Sequence, residues 1–227
     1  MNKTIVLIAA LCLAVVPAWA ADHPDSSKWD DLFSKDLSDA IVPADKGKPI
    51  WTWENGELTA SVDQAIWTKE QIGDCVIDLE FKCGPAANSG VIVYTSDLKN
   101  WIPNSVEVQI LDDNDPKWAK VDKTWLCGGI FGHLAPAQQV VKKAGEWNRM
   151  TVTCKGPVIT VLLNGVETAR MDMTKWTSAK KNPDGSAIPP WLSKPKAEIK
   201  TRGHIGLQGK HGGAPIYFRN MKIKKAE

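Results

Sequence analysis

The sequence predicts an all-β protein built as a two-sheet jelly-roll sandwich with long Pro- and Trp-containing loops. Short apolar runs of strand length are separated by turn residues along most of the chain. Asn-Gly pairs at 55–56 and 164–165 stand between such runs, and both residues tolerate the positive φ of a hairpin turn. No segment keeps the 3.6-residue period of a long amphipathic helix. Many short strands with turns between them are typical of a sandwich.

Each strand is predicted from apolar residues that alternate with polar ones. The clearest case is Cys75–Cys83, where Ile77, Leu79 and Phe81 point one way and charged residues point the other. The segment at 21–49 is polar and broken by prolines, so we expect a lead-in segment with one short helical turn. The predicted strands are Trp51–Trp53, Glu57–Val62, Cys75–Cys83, Gly90–Thr95, Ser105–Leu111, Trp147–Lys155, Val158–Leu163, Ile205–Gln208 and Ile216–Ile223.

The first twenty residues have the three parts of a secretory signal peptide. Lys3 forms a short basic region, Ile5–Val16 is an apolar run, and Ala18-Trp19-Ala20 is a small-residue cleavage site. Cleavage before Ala21 would leave residues 21–227 as a single domain, exported to the bacterial periplasm or secreted, with no membrane span. The alternative is an uncleaved membrane anchor, for which the apolar run is short.

Charge and motif content exclude several classes of partner. The formal net charge is +2, and loss of Lys3 with the signal peptide lowers it to +1. No basic block or basic–aromatic run indicates nucleic-acid binding. No phosphate-binding loop or dinucleotide fingerprint is present, so we expect no nucleotide cofactor.

Four cysteines follow the signal peptide, at 75, 83, 127 and 154. An even count in an exported protein allows two disulfides, in three pairings. Cys75 and Cys83 lie too far apart on one predicted strand to bond each other, whereas a Cys83–Cys154 bond is a candidate. Four buried thiols are the alternative, and the spacings do not resemble a zinc site.

An acid and an amide interrupt the aliphatic strand at 105–111. Glu107 and Gln109 share one face, opposite the face of Val106, Val108 and Ile110. That second face is either ordinary solvated sheet or the floor of a polar site. Carboxylates and amides bind sugar hydroxyls, and a carboxyl group can also transfer a proton.

Tryptophan is unusually frequent, with 11 residues against 2 Tyr and 4 Phe. Trp147 is predicted to be a core residue of its strand. Indole faces pack on sugar rings, so loop tryptophans are candidate ligand contacts, although most loop tryptophans pack within their own loop. The loop at 174–201 holds four prolines and is predicted to be ordered, burying Trp176, Trp191 and Leu192. The other loop tryptophans are Trp101, Trp118 and Trp125.

A polar, glycine-rich stretch near the end of the chain reads GHIGLQGKHGG at 203–213. Gln208 can join a polar sheet face, and Lys210 and His211 follow in a segment whose glycines allow close backbone approach to a ligand. The alternative is that His211 only forms local hydrogen bonds in this turn. The same two interpretations, ligand contact or local hydrogen bonding, apply to His133 in GGIFGHLAP.

Six short motifs, in order along the chain, resemble the 3-keto-disaccharide hydrolase domain family. They are NSG (88–90), VEVQILD (106–112), GEWN (145–148), LNG (163–165), GHIGLQGKHGG (203–213) and FRNMKIK (218–224). The resemblance runs from about Lys28 to Lys224. It implies a concanavalin A-like or LamG-like jelly roll and activity on glycosides oxidised to a ketone at the third sugar carbon.

The resemblance also implies a site. By match to the family motifs, Glu107 and His211 are catalytic candidates, and Asn88, Ser89, Gln109 and Gln208 are substrate-binding candidates. Further substrate-binding candidates are Lys210 in the glycine-rich stretch, the loop tryptophan Trp125, and Tyr94. Many relatives have arginine where this chain has Tyr94, which points to a different specificity. A divalent metal ion is a cofactor candidate, for which Glu107 or His211 is the candidate ligand if it is not the base, and an NAD-dependent sugar oxidoreductase is a candidate functional partner.

Three functions follow from these observations. The first is cleavage of a keto-glycoside by removal of the proton next to the ketone, elimination of the glycosidic oxygen and rehydration. The second is a non-catalytic carbohydrate-binding module of the same fold. The third is an ordinary glycosidase, which needs a second carboxylate; Glu80, Asp112 and Asp113 are candidates by residue type.

Overall fold

The computed structural model of the protein describes residues 22–226, so the predicted signal peptide lies outside the described residues. Within the described range no helix is long and apolar enough to cross a membrane. The helices found there are short 3-10 turns at Ile102–Asn104, Pro116–Trp118, Lys123–Trp125, Met173–Lys175 and Lys196–Glu198.

Strands form the rest of the regular structure, and the all-β jelly-roll prediction is confirmed. They are β1 (Asp30–Asp31), β2 (Ala40–Ile41), β3 (Ala44–Asp45), β4 (Lys48–Pro49), β5 (Trp51–Glu54), β6 (Glu57–Ala60), β7 (Ile66–Thr68), β8 (Cys75–Cys83), β9 (Asn88–Thr95), β10 (Val106–Leu111), β11 (Trp147–Lys155), β12 (Val158–Leu163), β13 (Val166–Asp172), β14 (His204–Leu207) and β15 (Ile216–Lys225).

Two antiparallel sheets are stacked. The large sheet runs β13-β12-β11-β8-β15-β6-β5, with β1 added to β15. The small sheet runs β10-β9-β14-β7-β2, and β3 pairs only with β4. The C-terminal strand therefore lies near the centre of the large sheet, beside both β8 and the N-terminal β1.

The predicted Asn-Gly turns have the expected backbone. Asn55 and Gly56 have φ of 52° and 79°, and Asn164 and Gly165 have φ of 50° and 82°. These turns join β5 to β6 and β12 to β13. Two consecutive residues of positive φ match the strand twist of a two-residue hairpin.

The core lies between the sheets. The apolar faces of β8 and β15, such as Leu79 and Phe218, are buried there with Val91, Val108 and Ile110 of the small sheet. Full burial stabilises each such side chain by roughly 1.5–3 kcal/mol. This packing fixes which face of β10 turns away from the core.

The cysteine pairing Cys83–Cys154 is wrong. Cys154 lies opposite Cys75 in the β11–β8 register, and Cys83 is at the other end of β8. At about 3.3 Å per residue the two ends of this strand are roughly 26 Å apart. All four cysteines in the described part of the chain are buried thiols.

Three other expectations are corrected. The lead-in at 22–49 contains the short strands β1–β4 and no helical turn. Trp147 lies on the outer face of the large sheet, where its ring packs 3.9 Å from the Arg219 guanidinium. In the proline-rich loop Trp176 and Leu192 are buried as expected, but Trp191 is 51% exposed.

Candidate active site

Strand β10 is the edge of the small sheet, and the loop that follows the 3-10 turn at Lys123–Trp125 covers this edge. The Gly128 N–H donates to the Gln109 carbonyl at 2.9 Å, and the Phe131 N–H donates to the Glu107 carbonyl at 3.0 Å. A covered edge cannot pair with another chain. The same bonds fix the backbone of the two polar residues.

The strand alternates as the sequence predicts. Val106, Val108 and Ile110 are fully buried in the core, while Glu107 and Gln109 turn to a cavity of about 330 Å³ on the outer face of the sheet. We name this cavity the Glu107 pocket. It is lined by Asn88, Trp101, Ile102, Glu107, Gln109, Trp125, Phe131, Trp191, Gln208 and His211.

Glu107 packs over a glycine on the neighbouring strand. It lies opposite Ile92 in the register, and its side chain lies across Gly90, where an added Cβ would collide with carboxyl oxygen Oε1. Burial raises the pKa of Glu107 to about 8, and the Lys196 ammonium group opposes this rise. A carboxyl group with this pKa is mostly protonated at pH 7 and can exchange a proton near neutral pH.

Lys196 approaches from the proline-rich loop. It is 2% exposed, and its Nζ donates to the Ser105 carbonyl at 2.7 Å. Burial lowers its pKa to about 8, while Glu107 raises it. Burial, the larger cause, and the charge of Lys196 together lower the pKa of His133 to about 3.

Two amide oxygens in the pocket have no partner. Gln109 Nε2 donates to Asn88 Oδ1 at 3.0 Å, but Gln109 Oε1 and Gln208 Oε1 are buried without a hydrogen bond. An unpaired buried acceptor costs roughly 1–3 kcal/mol. Both oxygens are therefore suited to accept hydrogen bonds from the hydroxyl groups of a bound molecule.

His211 lies at the rim of the pocket. Its N–H donates to the Asn88 carbonyl at 3.1 Å, and its ring Nδ1 lies 2.6 Å from Asp63 Oδ2. A carboxylate at Nδ1 favours the tautomer that carries the proton there, which leaves Nε2 free to accept a proton. The backbone of β9 thus brings His211 and Gln208 beside Glu107, since the Gln208 N–H donates to Gly90.

Aromatic side chains form a wall of the pocket. The ring centroids of Trp125 and Phe131 are 5.1 Å apart, and those of Trp125 and Trp191 are 6.2 Å apart with nearly perpendicular planes. Indole rings next to unpaired polar groups are typical of sugar sites, because a sugar ring presents C–H faces and hydroxyl edges.

The structure brings six of the nine predicted site residues together and places three elsewhere. Asn88, Glu107, Gln109, Trp125, Gln208 and His211 line the pocket. Ser89, Tyr94 and Lys210 do not line it.

Ser89 points the other way from Asn88 because successive side chains on a strand alternate. It is fully buried, and its hydroxyl donates to the Gln208 carbonyl at 2.7 Å. Tyr94 has φ of 58° beside a register shift between β14 and β9. This irregularity turns its ring into the core, where its hydroxyl donates to the Gly156 carbonyl at 2.8 Å.

Several site residues were not predicted. Trp101 and Trp191 were recognised only as loop tryptophans, and Ile102 and Phe131 carried no signal at all. Asp63 and Lys196 reach the site from segments distant in sequence, so no local pattern could have identified them.

The side chains near the pocket do not form a metal centre. Among residues 22–226, no group of three or more His, Cys, Asp or Glu side chains is placed to hold a metal ion. His211 and Asp63 bond each other instead. The described residues therefore supply no ready set of three carboxylate, imidazole or thiolate ligands for a divalent cation.

The sequence and the fold resemble known proteins. The model of the 3-keto-alpha-glucoside-1,2-lyase-like domain family matches residues 27–224. A candidate glycosyl hydrolase of Parabacteroides distasonis is 50% identical, with a TM-score of 0.82 over 88% of this chain and 100% of its own. No curated protein matches the sequence.

More distant structures share the fold alone. A second candidate glycosyl hydrolase of Parabacteroides distasonis is 23% identical, with a TM-score of 0.68 over 85% of this chain and 91% of its own. A carbohydrate-binding module of Bacillus subtilis is 8% identical, with a TM-score of 0.52 over 85% of this chain and 99% of its own. The predicted family resemblance is confirmed.

Proposed function

Because the chain belongs to the 3-keto-alpha-glucoside-1,2-lyase-like domain family, we propose that this carbohydrate-active protein cleaves 3-keto-glycosides in the Glu107 pocket. One observation carries the proposal. The pocket combines a carboxyl group whose pKa is raised to about 8 with two unpaired amide oxygens and indole rings. Groups for proton transfer and groups for hydroxyl binding therefore occupy one cavity.

The proposed reaction uses the acidity of a C–H bond next to a ketone. A base takes the proton from sugar carbon 2, and the electron pair moves onto the ketone oxygen at carbon 3 to give an enolate. The enolate pair then returns to form a double bond between carbons 1 and 2. The bond from carbon 1 to the glycosidic oxygen breaks, and that oxygen leaves with a proton from an acid. Water then adds across the double bond. This route does not need the paired carboxylates of ordinary glycosidases.

The pocket offers one group for each proton transfer. His211 is the proposed base, through Nε2, because Asp63 binds Nδ1. Glu107 is the proposed acid, because its raised pKa keeps it protonated near neutral pH. Asn88 supplies an amide donor for the enolate oxygen, and the unpaired oxygens of Gln109 and Gln208 accept from ring hydroxyls.

A product assay tests the proposal. Purified mature protein is mixed with a 3-keto-glucoside and, separately, with the unoxidised parent, each with and without a chelator. We expect aglycone release from the keto form alone. Equal release from both would contradict the keto-specific mechanism, and loss of release with the chelator would show that a divalent metal is required.

A non-catalytic carbohydrate-binding module is the second candidate. The shared fold of the Bacillus subtilis carbohydrate-binding module and the tryptophans of the pocket support it equally well. Turnover separates the two functions. A binding module would bind both the keto form and its parent and release product from neither.

An ordinary two-carboxylate glycosidase finds less support. Glu80 is on the other sheet, bonded to Arg219, and Asp112 accepts the Ala86 N–H at 3.1 Å. Neither these two carboxylates nor Asp113 lines the Glu107 pocket.

Location and partner complete the proposal. The signal peptide predicted at 1–20 would export the protein, and a 3-keto-glycoside must be produced by an enzyme that oxidises a sugar hydroxyl, such as an NAD-dependent oxidoreductase. Fractionation of the native host and mass spectrometry of the mature N-terminus would test export. Detection in the cytoplasm with residues 1–20 intact would contradict it.

A further inference from the structure

A second cavity lies beside the Glu107 pocket on the same side of the molecule. Its volume is also about 330 Å³, and the two cavities share Trp101. Ile41, Trp67 and Leu98 give the second cavity an apolar lining, and Gln64 and Lys99 add polar groups. A volume of this size is at the lower end of small-molecule sites, roughly 300–1,000 Å³, and suits one sugar unit rather than a whole oligosaccharide.

The outer face of the small sheet connects the two cavities. Gly206 of β14 pairs with Ile92 of β9 on one side and with Trp67 of β7 on the other. A Cβ at Gly206 would collide with carbon atoms of the Trp67 ring. The missing side chain therefore lets this ring lie over the sheet, where it meets Trp101 edge to face with centroids 5.9 Å apart.

The proposed catalytic base stands where the cavities meet. His211 lines the Glu107 pocket, and its partner Asp63 lines the second cavity. Their contact of 2.6 Å spans the boundary between the two. In a two-unit substrate, the bond to be broken crosses this boundary, which is where a proton-transfer group is needed.

Exposed apolar surface is concentrated on the same two cavities. Four large hydrophobic side chains are markedly exposed within residues 22–226, and three of them line these cavities: Ile41, Ile102 and Trp191. The fourth, Val62, precedes Asp63. Clustered exposed apolar groups rimmed by polar ones mark ligand grooves.

We propose that the second cavity is the leaving-group subsite and binds the second pyranose of a keto-disaccharide. This inference rests on the proposed function, in which the keto sugar occupies the Glu107 pocket. The C–H face of the second ring packs on Trp67 and Trp101, and its hydroxyls bond Gln64 and Lys99. The subsite sets the preference of the protein for a sugar over a small alkyl leaving group.

The test compares two substrates that differ only in the leaving group, a glucose-based 3-keto-disaccharide and methyl 3-keto-glucoside. We expect wild-type kcat/KM to be at least about tenfold higher for the disaccharide. Ala65→Leu places extra volume in the second cavity and should lower this ratio to near one. Lys99→Ala, at an exposed position, is a second variant that does not depend on repacking and should lower the ratio several-fold.

Ala135→Leu is the matched control, because Ala135 lines a separate cavity that shares no residue with the two. Its ratio should equal that of the wild type. A wild-type ratio near one, or a ratio that neither Ala65→Leu nor Lys99→Ala changes, would overturn the subsite.

A binding measurement distinguishes an incorrect subsite proposal from an incorrect proposal for the reaction. If neither substrate is cleaved, indole N–H signals are followed by NMR while the unoxidised disaccharide or methyl glucoside is added. Tighter binding of the disaccharide, with shifts of the Trp67 signal that Ala65→Leu abolishes, would support the subsite in a non-catalytic protein. Equal binding of the two sugars would refute it.

Discussion

Each sheet carries a carboxyl group with a cationic side chain nearby, Asp78 on the large sheet and Glu107 on the small sheet. The two carboxyl groups differ in their hydrogen-bond partners. On the large sheet, Asp78 accepts hydrogen bonds from Ser26, Thr151 and Arg149, at 2.5 to 3.1 Å. On the small sheet, Glu107 opens to a cavity that holds two unpaired amide oxygens. The first group is satisfied by its own protein, and the second is placed to meet a ligand.

The Asp78 network also lines a cavity, and at about 450 Å³ this cavity is larger than the Glu107 pocket. Its polar groups bond one another: His23 Nδ1 lies 2.8 Å from Thr151, and Arg149 donates to the Pro24 carbonyl at 2.6 Å. The network therefore fastens the segment at 23–26 to the large sheet. Size alone therefore does not identify a ligand site.

The largest expected effect is on catalysis by Glu107→Gln. Removal of an acid–base group costs roughly 10²- to 10⁴-fold in rate, so kcat for a 3-keto-glucoside should fall by that factor. The similar size of the amide should leave the fold intact, which circular dichroism would check. Asp78→Ala is the comparison, and its kcat should stay within about twofold of wild type. Full turnover by Glu107→Gln would remove Glu107 from the reaction.

Asp78→Ala should instead lower stability. Loss of this carboxylate leaves Arg149, Thr151 and Ser26 without their shared acceptor, at a cost on the order of 3 kcal/mol. Urea denaturation would measure the change in the free energy of unfolding. A change below about 1 kcal/mol would show that the segment at 23–26 is not fastened through Asp78.

Removal of one hydrogen-bonding group from each region gives a finer comparison. Gln208→Met removes an unpaired acceptor, so KM should rise about tenfold, while the free energy of unfolding should rise by up to the roughly 1–3 kcal/mol that such an acceptor costs. Thr151→Val removes a hydroxyl that is already bonded to Asp78, so stability should fall by about 1 kcal/mol while KM stays unchanged. Steady-state kinetics would measure KM, and urea denaturation would measure the free energy of unfolding. The opposite pattern would reverse the functional assignment of the two sheets.

The last comparison concerns the pH dependence of stability. The pKa of Glu107 rises from 4.5 to about 8 on folding, so between these values the native state binds more protons than the unfolded state. The free energy of unfolding should therefore fall as pH rises from 4.5 to 8. The pKa of Lys196 falls from 10.5 to about 8, so its contribution should increase stability from pH 8 to 10.5.

Urea denaturation at pH 5, 7 and 9 would follow these contributions. His133 titrates in part of the same range, so the difference between wild type and Glu107→Gln isolates the carboxyl group. A difference that does not change with pH would show that Glu107 has an ordinary pKa. In kcat/KM, loss of the acid form should appear as a decline above about pH 8.

The sequence by itself determined nine of the fifteen strands in the described part of the chain, the Asn-Gly hairpins and the shared face of Glu107 and Gln109, but not β1–β4, β7 or β13. These features depend on neighbours one or two residues away, through side-chain alternation and turn conformation. The ordered motifs also placed Asn88, Gln208 and His211 in a site, by resemblance to a family. Strand alternation alone could not place Tyr94 correctly, because its φ of 58° at a bulge reverses the direction of its side chain.

Only the tertiary structure decided which distant groups complete the site. Lys196 and Asp63 contact it from loops far along the chain, and Trp191 is left exposed at its wall because Trp176 and Leu192 fill the loop interior. The raised pKa of Glu107 likewise depends on burial, which no local pattern encodes. Local geometry is written in adjacent residues, whereas solvent exclusion and charge proximity arise only when the two sheets and their loops pack together.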